Sequence, residues 1–361
     1  MKTLALVTAT STKVEESELR KLERSDAHPR ATLFGEALNA DILDARLLAK
    51  LTDKRVPLYG KLPSPLRQII EAFALRKEYD AIVSWAEHLG FPLACLLRLT
   101  GSDVPHVAIA SWISKPKTAA VLKLGRSRID RLILMSSVQY KFAIEKLHLP
   151  PSQVTLLKWP IDHLFWRPMP VQADMISTAG REMRDFKTFI EAMSGLNLRC
   201  HIAAATEQGK KDPWIRDIEK FDATGSSITV GRKTLQELRE IYARSWFVVV
   251  PLFPTDTDNG TTTILEAMAM GKAVICSRVV GQADVIQEGK TGIFVPPRDP
   301  RALREAIQHL TDHPEIAGAM GKEGRCHIEK HHTVDAWVAQ VKSIVETSIA
   351  AHNGINRTQH S

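Results

Sequence analysis

Short apolar runs rich in β-branched residues alternate along the chain with stretches of helical periodicity. We predict strands at residues 3–9, 81–85, 106–110, 131–137, 154–159, 175–180, 198–205, 226–231, 246–253, 273–278 and 292–297. Amphipathic helices fall between them, for example at 64–77 and 138–149. Strands that are apolar along nearly their whole length are covered on both faces, as in parallel sheets flanked by helices. The pattern therefore predicts doubly wound α/β domains.

The alternation is interrupted between 158 and 175, where three Pro occur among aromatic residues without periodicity. We place a connector there and predict an N-terminal domain at 1–165 and a C-terminal domain at 166–330. Helices are predicted at 314–332 and 334–350, and we expect the segment 331–350 to pack back on the first domain. The polar segment 351–361 is predicted to be a disordered tail.

Composition is that of a soluble globular protein with two to three domains, since 361 residues are 44% hydrophobic and 25% charged. Cys95, Cys200, Cys276 and Cys326 form no metal-ligand spacing, so buried thiols in a reducing compartment are expected. The opening MKTLALVTAT is too short for a signal peptide, and no apolar run reaches the ~18 residues of a membrane span. We expect a cytoplasmic protein.

The net charge of +7 lies almost entirely in the first half. Residues 1–165 hold 24 Lys and Arg against 17 Asp and Glu, whereas 166–361 hold 24 of each. Within 111–131, six basic residues accompany one Asp. This segment is either a solvated helix face or a surface for anionic lipid headgroups or an acidic acceptor. Because aromatic residues are not interleaved with these cations, nucleic acid is not an expected partner.

The stretch TDTDNGTTTILEAMAMGKAVICS (255–277) carries the candidate chemistry. A strand runs into a polar loop, and a helix is predicted to begin near Thr261, where its unpaired N–H groups favour a phosphate or a hydroxyl-rich ligand. Capping by Asn259 and the Thr hydroxyls is an additional interpretation. Glu266 lies among apolar residues, eight positions after Asp258, so both carboxylates can face one cleft and accept hydroxyl hydrogen bonds. The alternative is a Glu on a solvated stripe.

These residues resemble the nucleotide-sugar segment of retaining glycosyltransferases with the GT-B fold, the group 1 or family 4 type. Its Glu-x7-Glu, Gly-Lys-Pro-Val-Ile, Gly-x-x-Glu/Asp and Gly-x-x-Val-Pro-Pro-x-Asp-Pro motifs correspond to Asp258 to Glu266, 271–275, 281–284 and 292–300. The segment 161–168 is similar to the family's interdomain Val-Asp-x-x-x-Phe-x-Pro element. The resemblance covers residues 160–310 and implies two Rossmann-like domains that face a cleft.

A further motif, AGREMRDFKTFIEAM (179–193), is similar to the element with which the family binds the donor diphosphate. The resemblance places Arg181 and Arg184 there, after Gly180 at the end of a predicted strand. A guanidinium binds phosphate through two parallel hydrogen bonds, so Arg181 is the stronger candidate, and a surface pair along a helix is the alternative for Arg184. Two cations and a helix N-terminus can stabilise the departing nucleoside diphosphate, so we expect neither a metal nor a cofactor besides the co-substrate.

The resemblance also implies the other donor contacts. Glu266 would hold the ribose hydroxyls and Asp258 the transferred sugar, beside Asn259. The backbone of Gly260, Thr261 and Thr262 would lie along the sugar and phosphate. Gly231 and Arg232 fall where the family's base-contacting loop lies.

Three features depart from the family pattern. Asp258 is one methylene shorter than the usual Glu. The first loop, at 7–17, lacks the Gly-rich turn of many relatives, and Ser111 occupies the usual place of a sugar-pocket His. His88, at another strand end, is either a loop histidine or an acceptor-side residue.

The sequence therefore predicts an enzyme of the hexosyltransferase type that moves a sugar from a nucleotide-diphospho-sugar to a carbohydrate or lipid-linked acceptor hydroxyl with retention. Its catalytic residues would be Asp258, Glu266, Arg181 and Arg184. Glycan, polysaccharide or glycolipid biosynthesis is the expected context, with possible peripheral contact of 111–131 with the inner face of an anionic membrane. Two alternatives remain: an epimerase or phosphorylase of the same fold, and a non-catalytic nucleotide-sugar-binding protein.

Overall fold

The computed structural model describes residues 1–8, 15–44, 47–48, 60–204 and 228–358, with side chains as far as 353. The chain forms two compact units. The first comprises 1–23, 30–158 and 335–361, and the second comprises 24–29 and 159–334. The chain thus passes from the first unit into the second between Lys158 and Trp159, before the predicted domain boundary at 165/166. The short segment Arg24–Pro29 belongs to the second unit, which no feature of the sequence indicates.

The first unit contains a six-stranded parallel sheet in the order β2-β1-β3-β4-β5-β6. Its strands are β1 (Thr3–Val7), β2 (Ala40–Leu43), β3 (Ala81–Trp85), β4 (His106–Ala110), β5 (Arg131–Leu134) and β6 (Val154–Leu156). Its helices are α1 (Glu16–Arg24), α2 (Leu33–Leu38), α3 (Ser64–Leu75), α4 (Glu87–Leu99), α5 (Pro116–Gly125) and α6 (Ser137–Glu145). Both faces of this sheet are covered by apolar side chains, as the near-continuous apolar strands predict.

The second unit contains another six-stranded parallel sheet, in the order β12-β11-β10-β7-β8-β9. Its strands are β7 (Met175–Ala179), β8 (Cys200–Ala203), β9 (Ile228–Val230), β10 (Ser245–Val250), β11 (Ala273–Ser277) and β12 (Gly292–Val295). Its helices are α7 (Phe186–Met193), α8 (Leu235–Ala243), α9 (Thr261–Ala269), α10 (Pro300–Asp312) and α11 (Pro314–His331). One apolar cluster lies on each face of the sheet.

The last helix, α12 (Val334–Thr358), is counted with the first unit from Asp335 onward. Its Trp337 stacks on Phe34 and Trp85, with ring centroids 6.0 and 5.0 Å away. The helix continues to Thr358, so the prediction of a disordered tail from 351 is wrong for 351–358. Residues 359–361 lie outside the described part of the chain.

The predicted strands agree with the observed ones except for β2, which sequence patterning missed. Ala40–Leu43 is an edge strand with one buried residue in four, so it carries little of the apolar signal on which the prediction depended. The predicted strand ends at Ala9 and Ala205 and most of the first loop, 7–17, fall outside the described residues.

Candidate functional site

The order of the second sheet brings two distant loops together. β7 lies beside β10, so the strand order reverses between them, and ligands of open parallel sheets bind outside the carboxyl ends of strands at such a point. The loop after β7 pairs directly with the loop after β10: Asp185 donates its N–H to Pro251 O at 3.0 Å, and Phe253 donates to Met183 O at 3.0 Å. Residues 180–185 and 251–260 thus form one surface.

Arg184 lies beneath this surface and is only 9% exposed. Its Nε donates to Ala179 O at 2.8 Å, Nη1 to Glu182 O at 3.0 Å and Nη2 to Thr263 Oγ1 at 3.0 Å. Burial lowers the pKa of this guanidinium. The interpretation of Arg184 as one of a surface pair is wrong, because its bonds fasten the end of β7 to the first turn of α9.

Gly180 makes room for that guanidinium. Its φ is +95°, and a Cβ at this position would lie 2.4 Å from Arg184 Nη2. A side chain here would therefore expel the arginine. Arg181 follows in the chain and is exposed, so its guanidinium is at the surface of the same loop.

The N-terminus of α9 is formed by a tight turn. Gly260 has a φ of +96° and stands at the N-cap, where it has no side chain to accept from the first amides. Asn259 Oδ1 accepts from the Thr257 hydroxyl, so Asn259 does not cap the helix through that atom. Thr261 is buried and Thr262 is exposed. The helix N-terminus therefore keeps the positive end of its dipole at the strand edge.

A neighbouring loop holds this turn in place. Gln282 is buried, and its Nε2 donates to Asn259 O at 2.7 Å and to Thr261 Oγ1 at 2.9 Å. A Cβ at Gly281 would lie 1.6 Å from Thr257 O, so only glycine allows the two loops to touch. The glycine of the motif at 281–284 thus has a packing role, and Gln282 orients the start of α9.

Asp258 lies at the end of the same turn and is partly buried. Its Oδ2 accepts a hydrogen bond from the indole Nε1 of Trp159, and its backbone oxygen accepts from Thr261 N at 3.1 Å. Trp159, the first residue after the crossing into the second unit, thus orients the carboxylate. Its position in the connector gave no indication of that role.

Glu266 is buried, with 7% of its surface exposed, so the interpretation as a Glu on a solvated stripe is wrong. The Tyr242 hydroxyl donates to Glu266 Oε2 at 3.0 Å. Burial raises the pKa of Glu266 to about 8, although the hydrogen bond from Tyr242 and the charge of Arg184 oppose the shift. Glu266, Arg184 and Tyr242 therefore share one buried environment at the switch point.

The structure places Gly231 and Arg232 directly after β9, two strands away from β7. Gly231 donates its N–H to Ile202 O at 3.2 Å, and Arg232 is exposed. Both lie at the carboxyl edge of the sheet, as expected, but their base-binding role is not tested by this arrangement.

The acceptor-side candidates lie at the carboxyl edge of the first sheet. His88 is exposed in the first turn of α4, and Ser111 follows the adjacent strand β4. The Ser111 N–H donates to Glu87 Oε2 at 3.5 Å, so the two loops meet. Between β3 and α4, Ala86 has φ +148° and ψ +139°, a strained conformation that is almost restricted to glycine.

Sequence reasoning gave no role to Tyr242, Trp159 or Gln282, and it considered Thr263 only for capping. Tyr242 and Trp159 belong to no spaced motif of chemical residues, and Gln282 occupies an unspecified position of the motif at 281–284. Each acts through a contact with a candidate residue. Lys272 was recognised only as part of a motif; its Nζ donates to Ala243 O at 2.8 Å. Such partners become visible only when distant elements pack together.

The described ranges contain no cluster of three or more His, Cys, Asp or Glu side chains that could hold a metal ion. Among the same residues, no helix is long and apolar enough to cross a membrane.

Solved structures establish the class of fold. The chain superposes on the sucrose-phosphate synthase of Thermosynechococcus elongatus with a TM-score of 0.74 and 16% identity, covering 97% of this chain and 100% of the other. It superposes on the Anabaena protein HepE in complex with UDP-glucose with a TM-score of 0.69 and 14% identity, covering 97% and 100%. The protein thus has the two-sheet GT-B fold of glycosyltransferases.

Sequence similarity is found in the second unit. Residues 175–313 match the family of glycosyl transferases group 1. A relative with 32% identity over 124 residues is the D-inositol 3-phosphate glycosyltransferase of Corynebacterium glutamicum (strain R). That alignment spans 34% of this chain and 29% of the relative.

Proposed function

We propose that this protein is a glycosyltransferase that moves a sugar from a nucleotide-diphospho-sugar to an acceptor hydroxyl with retention of anomeric configuration. The observation that carries the proposal is the buried carboxylate Glu266 on a helix whose N-terminus lies at the strand-order reversal, beside the loop of Arg181 and Arg184. The match of residues 175–313 to glycosyl transferases group 1 supports the same reaction class.

In this proposal the donor diphosphate lies against the exposed guanidinium of Arg181 and the N-terminus of α9. Both favour the negative charge that grows as the sugar leaves. Arg184 adds positive charge from beneath the surface, where a low dielectric strengthens its field. These groups supply leaving-group stabilisation from the chain itself.

The carboxylates bind the neutral parts of the donor. Glu266 accepts from the ribose hydroxyls, and Asp258, oriented by Trp159, accepts from hydroxyls of the transferred sugar. The backbone of Gly260 to Thr262 lies along the sugar and phosphate, next to Asn259. Gly231 and Arg232 at the end of β9 contact the base.

The reaction needs no protein nucleophile. The bond between the anomeric carbon and the diphosphate oxygen breaks, and the acceptor oxygen attacks from the same face. The acceptor proton passes to the departing phosphate oxygen. His88 and Ser111, at the carboxyl edge of the first sheet, are proposed to contact the acceptor.

A thermal-shift series with UDP, GDP and ADP tests the donor site, because a ligand that binds only the folded state raises its stability. UDP comes first, since HepE was solved with UDP-glucose. Turnover of the matching sugar donors follows, with Arg181→Ala and Glu266→Ala as site variants and Glu182→Ala, an exposed neighbour, as control.

The outcomes separate the alternatives. Turnover that requires an acceptor and is lost in both site variants supports a transferase. Conversion of the donor sugar without acceptor indicates an epimerase, and phosphate-dependent cleavage indicates a phosphorylase. Nucleotide binding without turnover for any acceptor indicates a binding protein. Failure to bind any of the three nucleotides contradicts the proposal.

We further propose that the first unit binds the surface of an anionic membrane, where a lipid-linked acceptor would lie. Leu99 and Leu124 are 81% and 53% exposed, and the Arg98 side chain donates to Leu124 O, so the ends of α4 and α5 that carry these apolar side chains lie together. The exposed Lys123 and Arg126 flank Leu124. Exposed apolar side chains among cations suit a headgroup surface.

Co-sedimentation with anionic and zwitterionic vesicles at low salt tests whether the first unit binds an anionic membrane surface. Lys123→Glu with Arg126→Glu should abolish anionic binding, whereas Lys322→Glu with Lys330→Glu, exposed in the second unit, should leave it unchanged. Absence of wild-type binding to anionic vesicles contradicts the membrane proposal and leaves the donor site untouched.

A further inference from the structure

Glu266 is held by a residue that no motif of the sequence identifies. Tyr242 is fully buried near the end of α8, and its ring lies 5.7 Å from that of Trp166. A buried tyrosine hydroxyl needs a partner, and this one donates to Glu266 Oε2 at 3.0 Å. The aromatic contact restricts the orientation of the ring, and the ring orientation determines where the hydroxyl lies.

The two helices that carry this pair are fastened to each other. Lys272, just beyond α9, donates from Nζ to Ala243 O, the residue after Tyr242. At its other end, α8 begins with a complete capping box, in which the Thr234 side chain accepts from Glu237 N and the Glu237 side chain accepts from Thr234 N. Tyr242 therefore lies on a helix whose two ends are both held by hydrogen bonds.

A second hydrogen bond holds the helix face that carries Glu266. Thr263 lies one turn earlier on α9, on the same face, and accepts from Arg184 Nη2 at 3.0 Å. Arg184 and Tyr242 thus approach this face of the helix from different elements. The carboxylate cannot rotate freely without losing its hydrogen bond in a buried site, where an unmade bond is costly.

We propose that Tyr242 is a positioning residue, which holds the Glu266 carboxylate where it accepts hydrogen bonds from the donor's ribose hydroxyls. The inference rests on the proposed function and adds the group that orients the carboxylate before the donor arrives. Preorganisation of this kind improves affinity because less order has to be created on binding. Tyr242 itself is buried and does not need to touch the substrate.

Tyr242→Phe tests the proposal, since it keeps the ring against Trp166 and removes only the hydroxyl. Loss of the one hydrogen bond that orients Glu266 should raise the donor KM, or the Kd of the bound nucleoside diphosphate, roughly fivefold. We expect kcat to change less than about twofold, since the group acts in the ground state as well as in the transition state. Tyr140→Phe, a half-buried tyrosine of the first unit, is the matched control.

A second measurement does not need turnover. Infrared titration, with Glu266→Gln subtracted to isolate this carboxyl, should show a higher midpoint in Tyr242→Phe than in the wild type, because the hydroxyl stabilises the charged form. In a Glu266→Gln background, Tyr242→Phe should no longer weaken nucleotide binding by the same factor. A merely structural role would change neither result.

The outcomes are distinct. Wild-type nucleotide affinity and an unchanged midpoint in Tyr242→Phe overturn the role of Tyr242 but leave the proposed function standing. A wild type that binds none of UDP, GDP and ADP overturns both. If Tyr242→Phe does not fold, Lys272→Met, which frees the end of α8, should weaken binding and raise the midpoint in the same direction; unchanged values in that folded variant also overturn the proposal.

Discussion

The candidate residues at the carboxyl edges of the two sheets differ in how they are held, although both sheets are parallel and six-stranded. In the second unit, Arg184 and Glu266 are buried and hydrogen-bonded to groups from other elements. In the first unit, His88 is exposed and the Ser111 N–H donates a long hydrogen bond to the Glu87 side chain. The candidate residues Arg184 and Glu266 of the second edge are therefore held within the protein, whereas the candidate residue His88 of the first edge faces solvent.

This difference agrees with a division of labour. In the proposed function the diphosphate has the same charge in every donor, so a rigid site can match it. An exposed residue such as His88 can be exchanged with little effect on packing. The comparison predicts that substitutions in the second edge affect folding and donor binding, and that those in the first affect acceptor use.

Gly281→Ala should give the largest effect. Its Cβ would lie 1.6 Å from Thr257 O, so the loops at the start of α9 must separate, and we expect a loss of about 4 kcal/mol in the free energy of unfolding. Gly101→Ala in the first unit has open space and pays only for its φ of +64°, about 1 kcal/mol. Urea unfolding of both variants measures the contrast; equal losses would contradict the tight packing of the second edge.

Arg181→Ala and Glu266→Ala should each lower kcat/KM for the donor about 100-fold, because the first removes hydrogen bonds to the charged diphosphate and the second removes those from the ribose hydroxyls. His88→Ala should raise only the KM of the acceptor, by roughly fivefold, the range of a single neutral hydrogen bond. Steady-state kinetics with each substrate varied in turn measures both. A change of donor KM in His88→Ala would contradict the proposal that the second edge binds the donor and the first edge binds the acceptor.

Rising pH should change the stabilities of the two units in opposite directions. The folded-state pKa of Glu266, about 8, exceeds the ordinary value of 4.5, so its stabilising contribution is complete below 4.5 and is lost as pH rises towards 8. Burial lowers the pKa of His106 in the first unit from 6.5 to about 4, so its contribution is present above 6.5 and is lost as pH falls towards 4. Each group should change the free energy of unfolding by at most about 1.4 kcal/mol per pH unit.

Unfolding free energies measured from pH 4 to 9 check these signs. Glu266→Gln should remove most of the decline on the alkaline side, and His106→Gln most of the decline on the acid side. A wild-type alkaline decline that persists unchanged in Glu266→Gln would show that this carboxyl is not the group responsible.

Thr234→Ala should give the smallest effect. It removes the capping box of α8, the helix that carries Tyr242, and should cost about 1 kcal/mol of stability. The donor KM should rise slightly, since Tyr242 lies near the opposite end of the helix. Glu240→Ala, an exposed change on the same helix, is the control, and thermal unfolding of the two variants gives the difference.

The sequence alone was sufficient for the fold class, for all six strands of the second sheet and for the start of α9 at Thr261. Each of these is encoded locally, by a continuous apolar run or by a polar loop that leads into an apolar helix. The carboxylate Glu266 was also recognisable, since a charged residue inside an apolar helix is unusual and therefore informative.

Tertiary structure decided what surrounds those residues. The adjacency of β7 and β10 depends on strand order, which joins residues some seventy positions apart, and only that order puts Arg184 against Thr263. Tyr242 and Trp159 look like ordinary aromatic residues in the sequence and become partners of Glu266 and Asp258 through packing. Local patterns specify elements because propensity and periodicity act over a few residues, whereas the environment of a side chain is set by whichever distant element packs against it.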